Sequence, residues 1–248
     1  MRTAITGVVA MVLSSAPATA YAGRTFYGWL YGTEVMPERG VEITNVIDER
    51  NGFGGAADIH WTTWGFSAEV GVTDQLTIAF PMDFVWRDSA ATEPSFSFAD
   101  FGIEARYRLV SSDLEEAPPF APLIRAGVKR SVLQRDILIA EADLVASTTT
   151  PSGSVHALVD IGYRGEFLGD KMRHQIRPGA GVSFKIVGDF RLGAEVVASI
   201  DVDNKDNRHV VVGPNAAWTQ GRFWISASFG IGVYQIDTAP RAVWGILF

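Results

Sequence analysis

The stretch Leu76-Thr77-Ile78-Ala79-Phe80-Pro81-Met82-Asp83-Phe84-Val85-Trp86-Arg87 decides the fold. Leu76, Ile78, Phe80, Met82, Phe84 and Trp86 are apolar, while Thr77, Ala79, Asp83 and Arg87 stand between them. A period of two sustained this long is a β-strand with one apolar face. The pattern recurs downstream. Phe101, Ile103, Ala105, Tyr107 and Leu109 oppose Gly102, Glu104, Arg106 and Arg108, and Val155, Ala157, Val159, Ile161 and Tyr163 oppose His156, Asp160, Gly162 and Arg164. Phe223, Ile225, Ala227, Phe229, Ile231 and Val233 oppose Ser226, Ser228, Gly230 and Gly232. Nowhere does a 3.6-residue period hold.

Turn signals divide the chain into twelve predicted strands: 41–48, 58–72, 76–87, 97–110, 120–132, 137–148, 154–167, 172–186, 191–201, 208–219, 222–234 and 239–248. Many reach the ~9–11 residues that a tilted strand needs to cross a bilayer, and they exceed the ~5–6 residues usual in soluble proteins. The connections at Thr73-Asp74-Gln75, Val187-Gly188-Asp189 and Gln220-Gly221 are tight, whereas 51–57, 88–96 and 202–207 on the other side are longer. Short periplasmic turns with longer outer loops are the rule for outer-membrane barrels; the long connection 111–119 breaks it.

Ahead of the strands, Met1 and Arg2 precede an apolar run from Ala4 to Leu13 and two small-x-small exits, Ala18-Thr19-Ala20 and Ala20-Tyr21-Ala22. This is the order of a secretory signal peptide, so cleavage is expected after Ala22 and residues 1–22 are an address. Residues 23–40 then form a periplasmic lead-in or an inward plug, and 41–248 the barrel. No later apolar run reaches the ~20 residues of a transmembrane helix, so any span is built from strands.

A soluble sandwich also alternates, so the direction of the apolar face needs separate evidence. The apolar face of the clear strands carries no charge, as lipid contact demands, since Arg or Lys at mid-bilayer costs about 2–4 kcal/mol. Its aromatics gather at strand ends, as an interfacial girdle would: Trp64, Trp86 and Tyr163 at the outer side, Tyr107, Trp218, Phe223 and Phe248 at the periplasmic side. The other face holds the acids Glu69, Asp83, Glu104, Glu141, Asp143, Asp160 and Glu195, and the bases Arg106, Arg108, Arg125, Lys129, Arg164, Arg177, Lys185 and Arg241. It also collects glycines, among them Gly162, Gly179, Gly181 and Gly245, as a crowded lumen would. Backbone edges cannot lie open in hydrocarbon, so the expected fold is all-β: a closed antiparallel transmembrane β-barrel of about twelve strands. Pro81, Pro122, Pro178 and Pro214 each remove a ladder donor, and bulges or strand ends are expected there.

Twelve strands enclose a backbone radius of roughly 12 Å, so long side chains from opposite walls nearly meet. The lumenal charges are therefore either an ion-pair lattice filling the interior or the lining of a narrow pore that selects solutes. Other chemistry is weakly signalled. The absence of cysteine excludes disulfides, thiolate metal sites and thiol nucleophiles, and a net charge of −7 argues against nucleic acid. A hydrolase needs a paired Ser and His. His60 and His174 face outward near the outer rim, but no spacing ties them or His156 and His209 to a serine such as Ser89 or Ser95, so no catalytic residue is expected. Asp201-Val202-Asp203-Asn204-Lys205-Asp206 begins like a calcium loop, yet Lys205 and Asp206 occupy a ligand and the glycine position, and no metal or cofactor is expected.

The last strand, Arg241-Ala242-Val243-Trp244-Gly245-Ile246-Leu247-Phe248, resembles the C-terminal assembly signal of bacterial outer-membrane β-barrels: Arg241, Ile246 and Phe248 match, and Val243 replaces the usual Gly. Tyr31-Gly32-Thr33-Glu34 through Val41-Glu42-Ile43 looks like the opening of uncharacterised barrels grouped with the phenol meta-pathway transporter family. The resemblance implies a bacterial outer-membrane location, contact with membrane lipid and lipopolysaccharide, and recognition of Phe248 by the barrel-assembly machinery. The expected function is a narrow channel for small solutes; the rivals are a closed barrel whose outer loops bind a partner and an outer-membrane lipid hydrolase.

Overall fold

The computed structural model describes residues 25–52, 59–89, 92–110, 119–169 and 171–248. The expected signal segment, most of the 51–57 loop and nearly all of the 111–119 connection lie outside them. The strands are β1 (Val41–Asn51), β2 (Ile59–Thr73), β3 (Leu76–Ser89), β4 (Thr92–Arg108), β5 (Phe120–Ser131), β6 (Ile137–Thr149), β7 (Val155–Leu168), β8 (Lys171–Val187), β9 (Phe190–Asp201), β10 (His209–Gln220), β11 (Phe223–Tyr234) and β12 (Thr238–Leu247). Each pairs antiparallel with its sequence neighbours, and β1 pairs with β12, from Glu42 opposite Leu247 to Asn51 opposite Thr238. The barrel of twelve strands is closed.

The rim bearing Phe248 is called the lower rim here. It carries the tight turns Asp74-Gln75, Gly188-Asp189 and Gly221-Arg222. Gly188 and Gly221 sit at φ +54° and +57°, a conformation that a side chain would strain. On the upper rim the expected 88–96 loop is mostly strand. Trp86 pairs with Phe96 and Arg87 with Ser95, so the β3–β4 hairpin projects further than alternation alone indicated.

The prolines are accommodated differently from expectation. Pro122 does lie near the start of β5. At Pro81 the β3–β4 pairs step from Ala79–Glu104 to Met82–Phe101, at Pro178 the β8–β9 pairs step from Ile176–Ile200 to Gly179–Val197, and at Pro214 the β10–β11 pairs step from Val212–Ile231 to Asn215–Ser228. In all three the register is unchanged across the gap. No bulge forms; the missing N–H costs one local interruption on one side while pairing to the other neighbour continues.

The inside-out orientation is direct. Leu144 on β6 is 62% exposed on the outer face, while Arg125 on β5 is 1% exposed inside. Residues 25–40 enter the lumen from the lower end, rise to mid-height at Trp29–Tyr31, and descend to β1. Tyr27, Leu30 and Val35 of this segment form an apolar cluster with Leu123, Val145 and Leu158 of the wall.

Candidate functional site: the lumen

Strand register sets the lumenal charges in two rows. One runs Glu69, Ala79, Glu104, Gly127, Glu141, Arg164, Gln175 and Asp201 across β2 to β9. The row below it runs Thr77, Arg106, Arg125, Asp143, Gly162 and Arg177. Opposite charges in adjacent rows link into one ladder. Arg106 forks onto Glu69, with Nη1 and Nη2 at 2.9 and 3.2 Å, and its Nε donates to Glu104 at 2.6 Å. It reaches across β3 because that strand presents only Ala79 there. Arg125 continues the chain to Glu104 at 2.5 Å, to Glu141 at 3.0 Å and to Asp143. Arg177 bridges Glu141 and Asp143 at 3.2 and 3.5 Å. A β-carbon at Gly162 would collide with the Asp143 carboxylate, so glycine makes room for this pair. Arg164 joins Glu141 to Glu166, and Arg173 joins Glu166 to Asp201. Lys129 forms a separate cluster with Asp83 at 2.6 Å and Asp100 at 3.7 Å.

The inserted segment is fastened by polar groups as well as by the apolar cluster. The Glu195 carboxylate accepts three successive backbone N–H groups, from Gly28 at 2.8 Å, Trp29 at 2.9 Å and Leu30 at 3.2 Å. The Tyr27 hydroxyl lies 2.9 Å from His156 Nδ1, Thr33 and Ser147 share a 2.5 Å bond, and the Met36 N–H donates to Thr77. Arg125 stacks on Tyr31 at 4.0 Å from the ring centre, and Arg241 and Arg50 flank Trp29. Gly179 and Gly181 leave the space that Leu30 and Tyr27 fill. Above the segment lies a cavity of about 860 Å³, lined by charges from Asp48, Arg50 and Arg87 at the top to Glu69 and Arg106 below.

The segment touches opposite walls: Trp29 Nε1 donates to the Ala239 carbonyl on β12 at 3.2 Å and Met36 packs on Leu247, while Thr33 bonds to Ser147 on β6. Within it Glu34 keeps one carboxylate oxygen without a protein partner. Burial pushes its carboxyl up to about 7, against the opposing pull of the chain's own N–H groups, Arg108 and Arg191.

Most of the sequence-predicted lumenal charges converge as described, with instructive exceptions. Lys185 has lumenal parity but sits beside the β8–β9 turn, where it pairs only with exposed Asp189; parity fixes the face, not the height. Arg108 lies at the lower rim and donates to the Val110 and Asp74 carbonyls. Glu195 and Arg241 serve the inserted segment, and Asp160 faces the backbone N–H of Tyr31. Sequence reasoning missed Asp100, Glu166, Arg173 and Asp201. Asp100 shares parity with Glu104 and could have been found. Asp201 ends the predicted strand 191–201 and figures in the sequence only as the start of a calcium-like motif, whereas its buried carboxylate accepts the N–H groups of Asp203 and Asn204 together with Arg173 and Asn207, organising the upper connection. Among the described residues no group of three or more His, Asp or Glu is arranged to hold a metal ion.

The girdle candidates all lie on the outer face or its ends. Trp64, Trp86, Tyr107, Trp218 and Phe248 are exposed, and Phe223 packs edge-on against Trp218. Trp64 also stacks on Phe84, extending a strip through Phe96, Phe98 and Phe101. Of the histidines weighed for hydrolysis, His60 bonds to Asn51 and His174 to the Tyr163 hydroxyl.

The lumen's electrostatic face follows from side-chain length. Short carboxylates sit against the wall, with Glu69, Glu104, Glu141, Asp143 and Asp201 only 0–4% exposed, while Arg173, Arg164 and Arg177 extend inward at 40, 27 and 24%. Three further acids reach the cavity as well, Glu166, Asp83 and Asp100 at 23, 19 and 15%, so Arg173 is the group that stands clearly ahead of the carboxylates.

No protein-family model matches this chain, and no curated protein matches it in sequence. The likeness of residues 31–43 to phenol meta-pathway barrels is therefore not confirmed at the family level. Solved structures do share the fold. The COG4313 outer membrane channel from Pseudomonas putida F1 superposes with a TM-score of 0.60 at 8% identity, over 88% of this chain and 99% of that one. The KdgM porin in complex with disordered oligogalacturonate gives 0.52 at 9% identity, over 84% and 98%. The β domain of the Bordetella autotransporter BrkA gives 0.54 at 11% identity, over 85% and 100%. The chain thus has the twelve-stranded barrel architecture of bacterial outer-membrane proteins.

Proposed function

We propose that this protein is an outer-membrane channel whose upper cavity admits small anionic solutes. The observation that carries the reading is the unequal exposure of most of the ladder: Glu141, Asp143 and Asp201 are shielded at the wall while Arg173, Arg164 and Arg177 turn toward the cavity, with Glu166 the ladder acid that is comparably exposed. Fixed charge lining a narrow lumen selects by sign. Oligogalacturonate, with which the KdgM porin was solved, is an anion of the kind such a surface would attract. The membrane setting is supported by the uncharged outer band, the girdle aromatics and the closed ladder. Phe248, exposed at the lower rim, is the residue through which assembly machinery would recognise the chain.

The test is the zero-current potential of the refolded protein in a planar bilayer under a salt gradient. Anion preference is expected, and replacing Arg164, Arg173 and Arg177 together with Gln should weaken it. Cation preference, or indifference to the triple replacement, would count against the reading. A second reading rests on the inserted segment. If residues 25–40 close the lumen permanently, the molecule is a sealed barrel whose upper loops and rim bind a partner, and no current will be seen.

A further inference from the structure

Every arginine of the ladder has a carboxylate: Arg106, Arg125, Arg164, Arg173 and Arg177 each pair with at least one. On β12 and β1 to β3 the guanidiniums of the cavity are held another way. Strand register sets Arg50, Trp61 and Arg87 side by side on β1, β2 and β3. One lumenal step below, Arg241 and Asp48 face each other on β12 and β1. Arg87 stacks on the Trp61 ring at 4.8 Å; Arg241 and Arg50 lie over Trp29 of the inserted segment at 5.1 and 5.7 Å. All of these side chains line the cavity. Among the described residues neither Arg87 nor Arg241 has a carboxylate in ion-pair range, and Asp48 pairs with Arg50 at 3.1 Å.

An aromatic ring attracts a guanidinium through its face but gives its N–H groups no acceptor, so those donors stay available. Further demand is unmet in the same corner. Arg241 Nε and Trp61 Nε1 are buried donors without a protein acceptor, and Asp48 Oδ1 is a buried acceptor without a protein donor, on a residue only 8% exposed. Buried polar atoms are almost always satisfied, by protein, water or ligand. We propose that this corner of the cavity binds a small hydroxylated carboxylate. The carboxylate of the solute takes donors from Arg87, Arg241 and Trp61, and one of its hydroxyls donates to Asp48 Oδ1. An anion without a hydroxyl would set its charge against an unmet Asp48, and a neutral sugar would leave the guanidiniums uncompensated. The site names the solute class for the channel; it rests on the reading that anions enter the upper cavity, not on whether the lumen conducts.

Isothermal titration calorimetry on the refolded full chain in detergent compares three ring probes of similar size. D-glucuronate carries both groups, cyclohexanecarboxylate lacks the hydroxyls, and glucose lacks the carboxylate. Glucuronate is expected to bind about tenfold or more tighter than either. Arg87→Gln and Arg241→Gln should each weaken it by about tenfold, whereas Arg130→Gln, exposed on the outer face of β5, should not. Asp48→Ala should bring glucuronate toward cyclohexanecarboxylate, a loss of discrimination rather than of anion binding. Heat-dependent gel mobility verifies that each barrel is folded. Absent binding of glucuronate, equal binding of the three probes, or equal weakening by Arg130→Gln and Arg87→Gln overturns the site, while an anion-preferring zero-current potential keeps the channel reading standing. Cation preference in that measurement, with no heat from glucuronate, overturns both.

Discussion

The two walls of one lumen solve the same problem differently. Strands β4 to β8 link their lumenal charges into one ladder, whereas β10 and β11 present serine, asparagine and glycine, and the lumenal charges of β1 and β12 are few: Glu42, Asp48, Arg50 and Arg241. Both walls have the same pleat, tilt and outward apolar face, so backbone geometry does not make the difference. Side-chain length does. Arginine can cross a neighbouring strand to reach a carboxylate, as Arg106 does over Ala79, and so ties several strands together. Short hydroxyls cannot reach, and they leave space. A cross-linked wall and a sparsely linked one result, and Met36, Trp29 and Gly28 of the inserted segment pack on the second.

Arg125 is where that contrast can be broken most forcefully. It holds Glu104, Glu141 and Asp143 at once and is 2% exposed as a side chain. Arg125→Met leaves three buried carboxylates without their shared cation, and the expected loss is about 3–5 kcal/mol, read from urea unfolding in detergent. Ser226→Ala on the other wall removes only an unpartnered hydroxyl, and stability should move by no more than about 0.5 kcal/mol. Equal effects at the two positions would erase the distinction between the walls.

Glu195 comes next, because it fastens the inserted segment through three backbone N–H groups. Glu195→Gln weakens three charge-assisted bonds to backbone N–H groups, each normally worth about 1.5–3 kcal/mol. The barrel should remain folded while residues 25–40 become open to added protease. If cleavage there is unchanged, the apolar cluster alone holds the segment. Glu34 sharpens the same point through pH. Its folded pKa is raised to about 7 from 4.5, so the carboxyl favours docking while protonated, and the docked state loses stability as pH rises from about 4.5 through 7. Protease cleavage should therefore increase over that window, and Glu34→Gln should flatten the part of the rise that this group contributes.

The difference between the walls also marks what sequence could reveal. Lipid demands an uncharged face, and that demand wrote the alternation from which the twelve strands and most lumenal residues were read. It weakens where lipid contact ends: β4 begins at Thr92 rather than 97, because Thr92-Glu93-Pro94-Ser95 carries no apolar signal of its own. Pairings were less legible than faces. Parity put Glu195 beside Arg177 and Lys185 as one more lumenal charge, but its height matches the backbone of Gly28 to Leu30, a segment without period. Which residue it meets depends on how the chain ahead of β1 folds back, and short-range pattern carries no trace of that.

The smallest expected effect lies where the inserted segment turns into β1. Arg39 and Glu38 form an ion pair at 3.5 Å with side chains 89 and 55% exposed. In contrast to the buried ladder, solvent screens such a pair to about 0–1 kcal/mol. Arg39 also stands at φ +64°, which costs a residue with a side chain roughly 1–2 kcal/mol, while its N–H is bonded to the Gly71 carbonyl. Arg39→Ala keeps the strained backbone and loses the pair, so stability should fall by a few tenths of a kcal/mol at most, about the size of a weak surface pair. Arg39→Gly loses the same pair but relieves the backbone, and should gain up to about 1 kcal/mol in the same urea experiment. Were both variants to lose several kcal/mol, charge at the rim would be doing what the lumenal ladder does, and the case for length and burial as the source of the contrast would collapse.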